Sequence, residues 1–207
     1  MHPKLYDYFR SSCSYRVRIA LQLKNISHEI IPVSLLKHEN HSPEYLRINP
    51  QGLVPTWQDD AIILSQSLAI LEYLDEAYPQ VPKLLPHDLQ LRAQTRQLAY
   101  IIACDMHPLN NLRVKEYLQE HGFTNEAFLQ WYHHWLKKGF DTLEKMISNG
   151  PYCLGNALTL ADICLIPQLY NAKRFNFDLS PYPKLLNIEH HCQQLPAFIH
   201  AEPKETT

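Results

Sequence analysis

The sequence predicts an α/β domain built on a mixed four-stranded sheet, followed by an all-helical domain. Strand-like and helix-like segments alternate over the first 80 residues, prolines punctuate the chain at 79–87, and strand signals end beyond that point. At about 150 residues per domain, a chain of 207 residues holds one large domain or two small ones. We therefore expect a first domain at 1–80, a linker at 79–87 and a second domain at 88–207.

The composition argues against several classes of protein. Apolar residues make up 45% of the chain and charged residues 19%, which gives enough apolar material for a core and too little charge for intrinsic disorder. The net charge of −2, with no basic run longer than Lys137-Lys138, argues against nucleic-acid binding. No apolar stretch reaches the roughly 18 residues of a membrane span, and the first residues lack the apolar core of a signal peptide. Five cysteines without a C-x-x-C pair are typical of a reduced, cytoplasmic protein.

The first half has the predicted order β-α-β-α-β-β-α. Strands are expected at 4–9, 29–35, 56–58 and 61–64, and helices at 13–24, from 42 onward and at 67–78. Pro32 indicates an edge strand, because proline cannot donate a hydrogen bond to a neighbouring strand. The segment is too short for a dinucleotide-binding domain and contains no G-x-G-x-x-G motif.

The second half carries helix signals only. Asp88 can cap a helix that runs towards Met106, and apolar residues at helical spacing between 128 and 147 predict a long amphipathic helix. Thr159 and Asp162 fit a capping arrangement, in which the threonine hydroxyl and the aspartate carboxylate each accept from a backbone amide. The apolar run that follows Asp162 predicts a buried helix.

The segment 8–18 is the most informative part of the chain, because it leaves the first strand and enters the first helix. It places the hydroxyls of Ser11, Ser12 and Ser14 and the thiol of Cys13 where helix amides are unpaired and the helix dipole is positive. Such an end stabilises an anion, including a thiolate. Ordinary helix capping by serine is the alternative interpretation.

Two further segments could bind a peptide-like ligand. A cis bond between Val54 and Pro55 would leave neighbouring backbone groups free to pair with a peptide, and Ser67, after Gln66, could cap a helix and bind a carboxylate. The adjacent histidine pairs at 133–134 and 190–191 do not predict a metal site, because neighbouring helical residues point about 100° apart.

These segments, in this order and ahead of a helical half, resemble the glutathione transferases, and in detail the zeta class of that family. The resemblance runs from about 4 to 199. Its motifs are Ser11-Ser12-Cys13 and the segments 16–21, 49–55, 66–70, 105–113, 171–175 and 179–183. It implies a thioredoxin-like first domain, an all-helical second domain and a homodimer.

The resemblance also implies glutathione as cofactor and assigns roles to matching residues. Ser11 would bond the glutathione sulfur, and Cys13 would line the same pocket as a second candidate catalytic group. Val54 would pair its backbone with the cysteinyl part, and Gln66 and Ser67 would hold the γ-glutamyl end. The full implied glutathione-binding set is Ser11, Ser12, Arg16, Asn40, Val54, Pro55, Gln66, Ser67, His107, Asn111, Leu112 and Arg113.

A dicarboxylate substrate is implied as well. Arg174 would bind one of its carboxylates, and Arg10 is a second candidate, since a guanidinium suits bidentate pairing with a carboxylate. Two positions depart from the class. Asn40 stands where the class usually has a longer glutamine that contacts the glycine end of glutathione, and Tyr15 replaces a tryptophan or histidine.

The implied activity is the cis–trans isomerisation of maleylacetoacetate to fumarylacetoacetate, a step of tyrosine and phenylalanine breakdown, by reversible addition of the glutathione thiolate. A general transferase acting on small electrophilic acids, including halogenated ones, remains an alternative that uses the same thiolate. A non-catalytic binding protein is less consistent with the intact serine and cysteine motif. A glutaredoxin-like redox protein would usually carry cysteine in place of Ser11.

Overall fold

The computed structural model describes residues 2–79 and 82–204 and divides into two compact units. One unit holds the chain up to Leu84 together with the chain from Leu195 onward, and the other holds Leu85–Gln194. The C-terminal segment therefore groups with the first unit, whereas the sequence led us to expect it in the helical domain.

The first unit is a four-stranded mixed sheet with helices. Its elements are β1 (Lys4–Asp7), α1 (Ser12–Leu23), β2 (Glu29–Pro32), a 3₁₀ turn (Glu39–His41), α2 (Pro43–Ile48), β3 (Thr56–Gln58), β4 (Ile63–Ser65), α3 (Ser67–Ala77) and the C-terminal α9 (Pro196–Ala201). The strand order is β2-β1-β3-β4, with β2 parallel to β1 and the other pairs antiparallel. Pro32 ends the edge strand β2, as predicted. Strands β1 and β2 end earlier than the sequence suggested, β3 has the predicted bounds, and β4 begins two residues later and ends one residue later than predicted.

The core of the first unit lies between the sheet and its helices. Leu5 and Trp57 are fully buried opposite each other on β1 and β3, and Val17 and Ile19 of α1 are fully buried too. Burying each such side chain contributes about 1.5–3 kcal/mol relative to leaving it exposed.

A buried ion pair links the end of α1 to α3. Lys24 Nζ lies 2.9 Å from Asp75 Oδ1 and donates to the carbonyl oxygens of Tyr78 and Pro82 at 2.9 and 3.2 Å. Asp75 also accepts from the Leu84 amide at 2.9 Å. These bonds join the end of α1 to α3 and to the chain that follows it.

The hairpin of β3 and β4 is held by one carboxylate. Burial alone would raise the pKa of Asp59, but hydrogen bonds from Trp57 Nε1 at 2.9 Å and Tyr73 Oη at 2.8 Å, together with two backbone amides, lower that pKa below 3.8. Since Tyr73 lies on α3, Asp59 also connects the hairpin to that helix.

Arg18 joins α9 to the rest of the first unit. Its Nε donates to the Ala201 carbonyl at 2.9 Å, its Nη1 pairs with Asp7 at 2.7 Å, and its Nη2 donates to the Phe9 carbonyl at 3.0 Å. Arg18 therefore holds the end of β1 and the loop before α1 as well as the C-terminal helix.

The described residues of the second unit form helices joined by loops, with one isolated bridge between Tyr152 and Gly155 and no strand. Its elements are α4 (Leu89–Tyr100), a π-helical segment (Ile101–Met106), a 3₁₀ turn (Pro108–Asn110), α5 (Leu112–Glu120), α6 (Asn125–Met146), α7 (Leu160–Arg174) and α8 (Pro183–Cys192). Asp88 accepts from the Leu91 amide at 2.8 Å, as predicted for a cap. The helix expected to continue to Met106 instead widens into the π-helical segment from Ile101. No helix in the described ranges is both long enough and apolar enough to cross a membrane.

The π-helical segment fits closely against α6. A Cβ atom added to Gly139 of α6 would collide with the Met106 side chain, so a larger residue fits there only if that side chain moves. Trp131 Nε1, also on α6, donates to the Leu109 carbonyl at 2.8 Å. Helix α6 thus fixes the course of the chain around His107.

The predicted capping arrangement at α7 is present. Asp162 accepts from the Thr159 amide at 2.8 Å and from the Cys153 amide at 2.7 Å, and the Thr159 hydroxyl accepts from the Ala161 amide at 3.3 Å. Burial raises the pKa of Asp162 although these hydrogen bonds favour its charged form. The helix that follows is buried along most of its length, as its apolar sequence predicts.

Candidate functional site

Ser11 caps the start of α1. Its Oγ accepts from the Ser14 amide at 3.2 Å, and its extended backbone has φ −71° and ψ 120°. Ser12 is buried, whereas Ser11 and Cys13 are half-buried. Because a hydroxyl that accepts a hydrogen bond still has its own proton to donate, Ser11 can give a hydrogen bond to an anion at this positive helix end.

The loop before β3 is held in shape by buried side chains. The Val54–Pro55 peptide bond is cis, and Gly52 has a φ of +63°. Tyr45 Oη donates to the Leu53 carbonyl at 2.6 Å, and Asn49 Nδ2 donates to the same oxygen at 2.7 Å. The residue before the cis-proline is thus fixed by contacts that do not use its own side chain.

The start of α3 has an unusual backbone. Gln66 precedes the helix with φ +71°, a backbone angle that residues other than glycine rarely adopt. Its Nε2 donates to Gln51 Oε1 at 2.8 Å, which ties the helix start to the loop before β3. Ser67 is buried and is the first residue of α3, so it does not cap the helix as the sequence suggested; the cap position belongs to Gln66.

Arg16 connects α1 to α3. Its Nη1 donates to Ser67 Oγ at 3.2 Å and lies 3.7 Å from Cys13 Sγ. Together with the bond between Gln66 and Gln51, this contact brings all three of the segments singled out in the sequence into one place.

Asn40 lies beneath the loop before β3. It is buried, and its Nδ2 donates to the Gly52 carbonyl at 2.8 Å, while its Oδ1 has no partner among the described residues. The amide nitrogen therefore supports the loop, and only the oxygen remains for another donor.

The implied residues of the helical unit lie together after the π-helical segment. Asn111 Nδ2 is 3.2 Å from His107 Nε2, and Asn111 Oδ1 caps α5 by accepting from the Arg113 amide at 3.1 Å. Leu112 is the first residue of α5, and the Arg113 side chain is exposed.

The two arginines implied for a substrate both lie against aromatic rings. Arg174 is exposed at the end of α7, where it packs over Tyr170 and Phe175 at 5.8 and 5.7 Å and donates to Asn171 Oδ1 at 3.2 Å. Arg10 packs over Phe9 at 4.9 Å. Stacking of this kind at Arg174 uses the face of the guanidinium, whereas a carboxylate pairs with its planar edge.

Sequence reasoning missed the residues that support the site. Tyr45 and Asn49 hold the loop, Gln51 bonds Gln66, and Arg18 holds the loop before Ser11. The sequence 49–52, Asn-Pro-Gln-Gly, signals a turn, but nothing local in the sequence indicates which side chains reach it.

The described ranges contain no group of three or more His, Cys, Asp or Glu side chains that could hold a metal ion. The polar groups that converge in the first unit are hydroxyls, amides, a thiol and one guanidinium at two helix starts. Such a set can bind a peptide-like anion and stabilise a thiolate.

Comparisons with known proteins agree with this geometry. Models of the glutathione S-transferase N-terminal and C-terminal domains match residues 10–77 and 136–188. The probable maleylacetoacetate isomerase of Vibrio cholerae is 47% identical over 205 residues, which cover 97% of this chain and 95% of that protein.

Two solved structures have the same fold over nearly their whole length. A holo maleyl pyruvate isomerase, described as a bacterial glutathione transferase of the zeta class, has a TM-score of 0.94 at 42% identity and covers 97% of this chain and 96% of its own. Maleylacetoacetate isomerase of Methylobacterium extorquens AM1, solved with malonate and glutathione, has a TM-score of 0.94 at 39% identity and covers 99% and 98%.

The chain therefore belongs to the glutathione transferase family. Within the family it is a zeta-class member, and the predicted fold class, a thioredoxin-like first domain with a helical second one, is confirmed.

Proposed function

We propose that this protein is a glutathione-dependent cis–trans isomerase that converts maleylacetoacetate to fumarylacetoacetate. The observation that carries the proposal is the hydrogen bond from Arg16 to Ser67, which joins the helix start at Ser11-Ser12-Cys13 to the start of α3. The loop before β3, which contains the cis bond before Pro55, completes the same group of segments. The relatives named above as isomerases support the choice of reaction.

In this proposal glutathione lies along the first unit. Ser67 and Gln66 hold its γ-glutamyl end, and the backbone of Val54 pairs with its cysteinyl part. Ser11 and Cys13 face the sulfur, and Asn40 contributes near the glycine end. Ser12, Arg16 and Pro55 shape the site, and we assign His107, Asn111, Leu112 and Arg113 to it on the class resemblance.

Ser11 can supply most of the required thiolate stabilisation. A free thiol has a pKa near 8.5, and lowering that pKa by about two units needs roughly 2.7 kcal/mol in favour of the anion. A hydrogen bond to a charged group provides about 1.5–3 kcal/mol, and a helix N-terminus adds about 0.3–1 kcal/mol. Ser11 at the start of α1 offers both contributions.

The proposed chemistry regenerates the cofactor. The glutathione thiolate adds to one carbon of the activated cis double bond, and the electron pair moves to the conjugated carbonyl oxygen as an enolate. The former double bond is now single and rotates. The enolate then re-forms the double bond in the trans geometry and expels the thiolate, so no net bond to sulfur remains.

Arg174 and Arg10 provide the proposed contacts to the substrate carboxylates. Dicarboxylate recognition needs cations that can pair in a bidentate way, and both guanidinium groups are held over aromatic rings. We further propose that the protein works as a homodimer, as the class resemblance implies. We also propose that it acts in the cytoplasm, as its cysteine content predicts, without membrane or nucleic-acid partners, as its apolar pattern and net charge predict.

Maleylpyruvate is a second candidate substrate, because a relative that is 42% identical and covers 97% of this chain is described as its isomerase. Both substrates would react by the same addition of the glutathione thiolate. The experiment that separates them is a measurement of kcat/KM for each substrate with the purified enzyme and glutathione.

Arg174→Met tests the substrate contact. We expect a rise in KM for either dicarboxylate of about tenfold or more, with a smaller change in the affinity for glutathione, since one charge-assisted hydrogen bond is worth about 1.5–3 kcal/mol. Arg47→Met, which removes an exposed arginine of α2, is the control. An unchanged KM in Arg174→Met contradicts the assignment.

A further inference from the structure

Arg16 is a buried cation without a matching anion. Only 1% of the residue is exposed, and within residues 2–79 and 82–204 its guanidinium contacts the Ser67 hydroxyl and the Cys13 sulfur. Its Nε and Nη2 have no hydrogen-bond partner in the same ranges. A guanidinium stays charged at any pH that a protein experiences.

This arrangement destabilises the folded protein when no ligand is bound. A buried charge without a partner is strongly unfavourable, and a neutral side chain of similar size often stabilises the fold. The second arginine of the same helix shows the contrast, because Arg18 uses its guanidinium on Asp7 and two carbonyl groups. Arg16 therefore needs a reason that lies outside the free fold.

Its position supplies that reason. The guanidinium lies between Cys13, at the helix start assigned to the sulfur of glutathione, and Ser67, at the helix start assigned to the γ-glutamyl end. The two groups of bound glutathione assigned to these positions carry negative charge in the reactive state: the thiolate of its central cysteine and the α-carboxylate of its γ-glutamyl end.

We propose that Arg16 is the buried countercharge for bound glutathione, a positioning residue that orients Ser67 and stabilises the glutathione thiolate from beneath the helix start. The inference rests on the proposed use of glutathione but not on which substrate the enzyme takes. This role also explains why the fold keeps an arginine whose Nε and Nη2 have no hydrogen-bond partner in the described residues.

The experiment uses the full chain with Arg16→Met, which removes the charge at similar length, and Arg16→Lys, which keeps the charge without the planar donors. Thiolate absorbance of the glutathione complex, after subtraction of the free protein at each pH, gives the pKa of the bound thiol. Affinities for glutathione and for S-methylglutathione, which cannot form a thiolate, are measured by calorimetry. Arg47→Met again serves as the control.

We expect Arg16→Met to raise the pKa of the bound thiol by about one unit, as the loss of a nearby opposite charge does. The affinity for glutathione then falls about tenfold more than that for S-methylglutathione at a pH where the wild-type complex holds the thiolate. Arg16→Lys retains most of the pKa shift. The midpoint of thermal unfolding of free Arg16→Met is equal to or higher than that of the wild type.

Other results overturn the inference. An unchanged thiol pKa, or equal losses for the two ligands, means that the charge does not act on the sulfur. Loss of folding in Arg16→Met, with a stable Arg16→Lys that shows a raised thiol pKa, means that Arg16 is structural. Wild-type binding of glutathione without isomerisation refutes only the proposed reaction, whereas absence of glutathione binding refutes both.

Discussion

Replacing Ser11 by alanine removes the helix cap that the structure shows and the hydrogen bond to the glutathione sulfur that we propose. In the cap, Ser11 Oγ accepts from the Ser14 amide at 3.2 Å. In the proposed bond, the Ser11 hydroxyl donates its proton to the sulfur. The two losses have different readouts, because the cap contributes to folding and the proton contributes to the thiolate.

The magnitudes separate the two effects. Loss of a serine cap costs about 1 kcal/mol of stability. Loss of a hydrogen bond to a charged sulfur costs about 1.5–3 kcal/mol, which corresponds to a fall of roughly 10- to 150-fold in kcat/KM. We therefore expect Ser11→Ala to fold, to bind glutathione and to lose most of its activity.

Thr124→Ala is the matched control, because Thr124 caps α6 through the same kind of bond, accepting from the Ala127 amide at 3.1 Å. Urea unfolding measures the stability of both variants, and initial rates of isomerisation with saturating glutathione measure activity. Equal stability losses with an activity loss confined to Ser11→Ala support the account. Wild-type turnover in Ser11→Ala, or the same activity loss in both variants, refutes the role of the hydroxyl.

Three more variants test other parts of the structure. Cys13→Ala is expected to change KM more than kcat in steady-state kinetics, and complete loss of turnover would make the protein thiol the nucleophile. Gly139→Ala overpacks the buried Met106 and is expected to cost about 1–3 kcal/mol in urea unfolding. Because Met106→Ala alone also destabilises the core, the test is a double-mutant cycle, in which Gly139→Ala should cost less in the Met106→Ala background; an equal cost in both backgrounds would contradict the steric explanation. Asp59→Asn is expected to lose about 1 kcal/mol or more at neutral pH. The pKa of Asp59 is lower in the folded protein than its ordinary value of 3.8. Its contribution to the free energy of unfolding is therefore present above pH 3.8 and is lost as the pH falls through the folded pKa. A stability difference between Asp59→Asn and the wild type that does not shrink in acid contradicts the assignment.

Features that depend on local sequence were predictable. Ser11, Asp88 and Thr159 sit at helix starts because short polar side chains satisfy unpaired amides there. Pro32 marks the sheet edge for an equally local reason, since it lacks an amide proton.

Features that depend on distant residues were not predictable. The π-helical segment 101–106 ends at Met106, which packs against Gly139, more than 30 residues later in the chain. Arg18 bonds the Ala201 carbonyl of α9, and Gln66, which has a positive φ, bonds Gln51. No periodicity in the sequence carries information about such pairings.

The central claim is that glutathione acts as a cofactor that attacks the double bond and leaves again. The most direct test is to incubate the enzyme with maleylacetoacetate, or its stable analogue maleylacetone, and glutathione in large deficit, and to follow both trans product and free thiol. The account predicts that many substrate molecules are converted per glutathione, that the thiol concentration is unchanged at the end, and that no conversion occurs without glutathione. Consumption of one thiol per substrate, or conversion without glutathione, would contradict it.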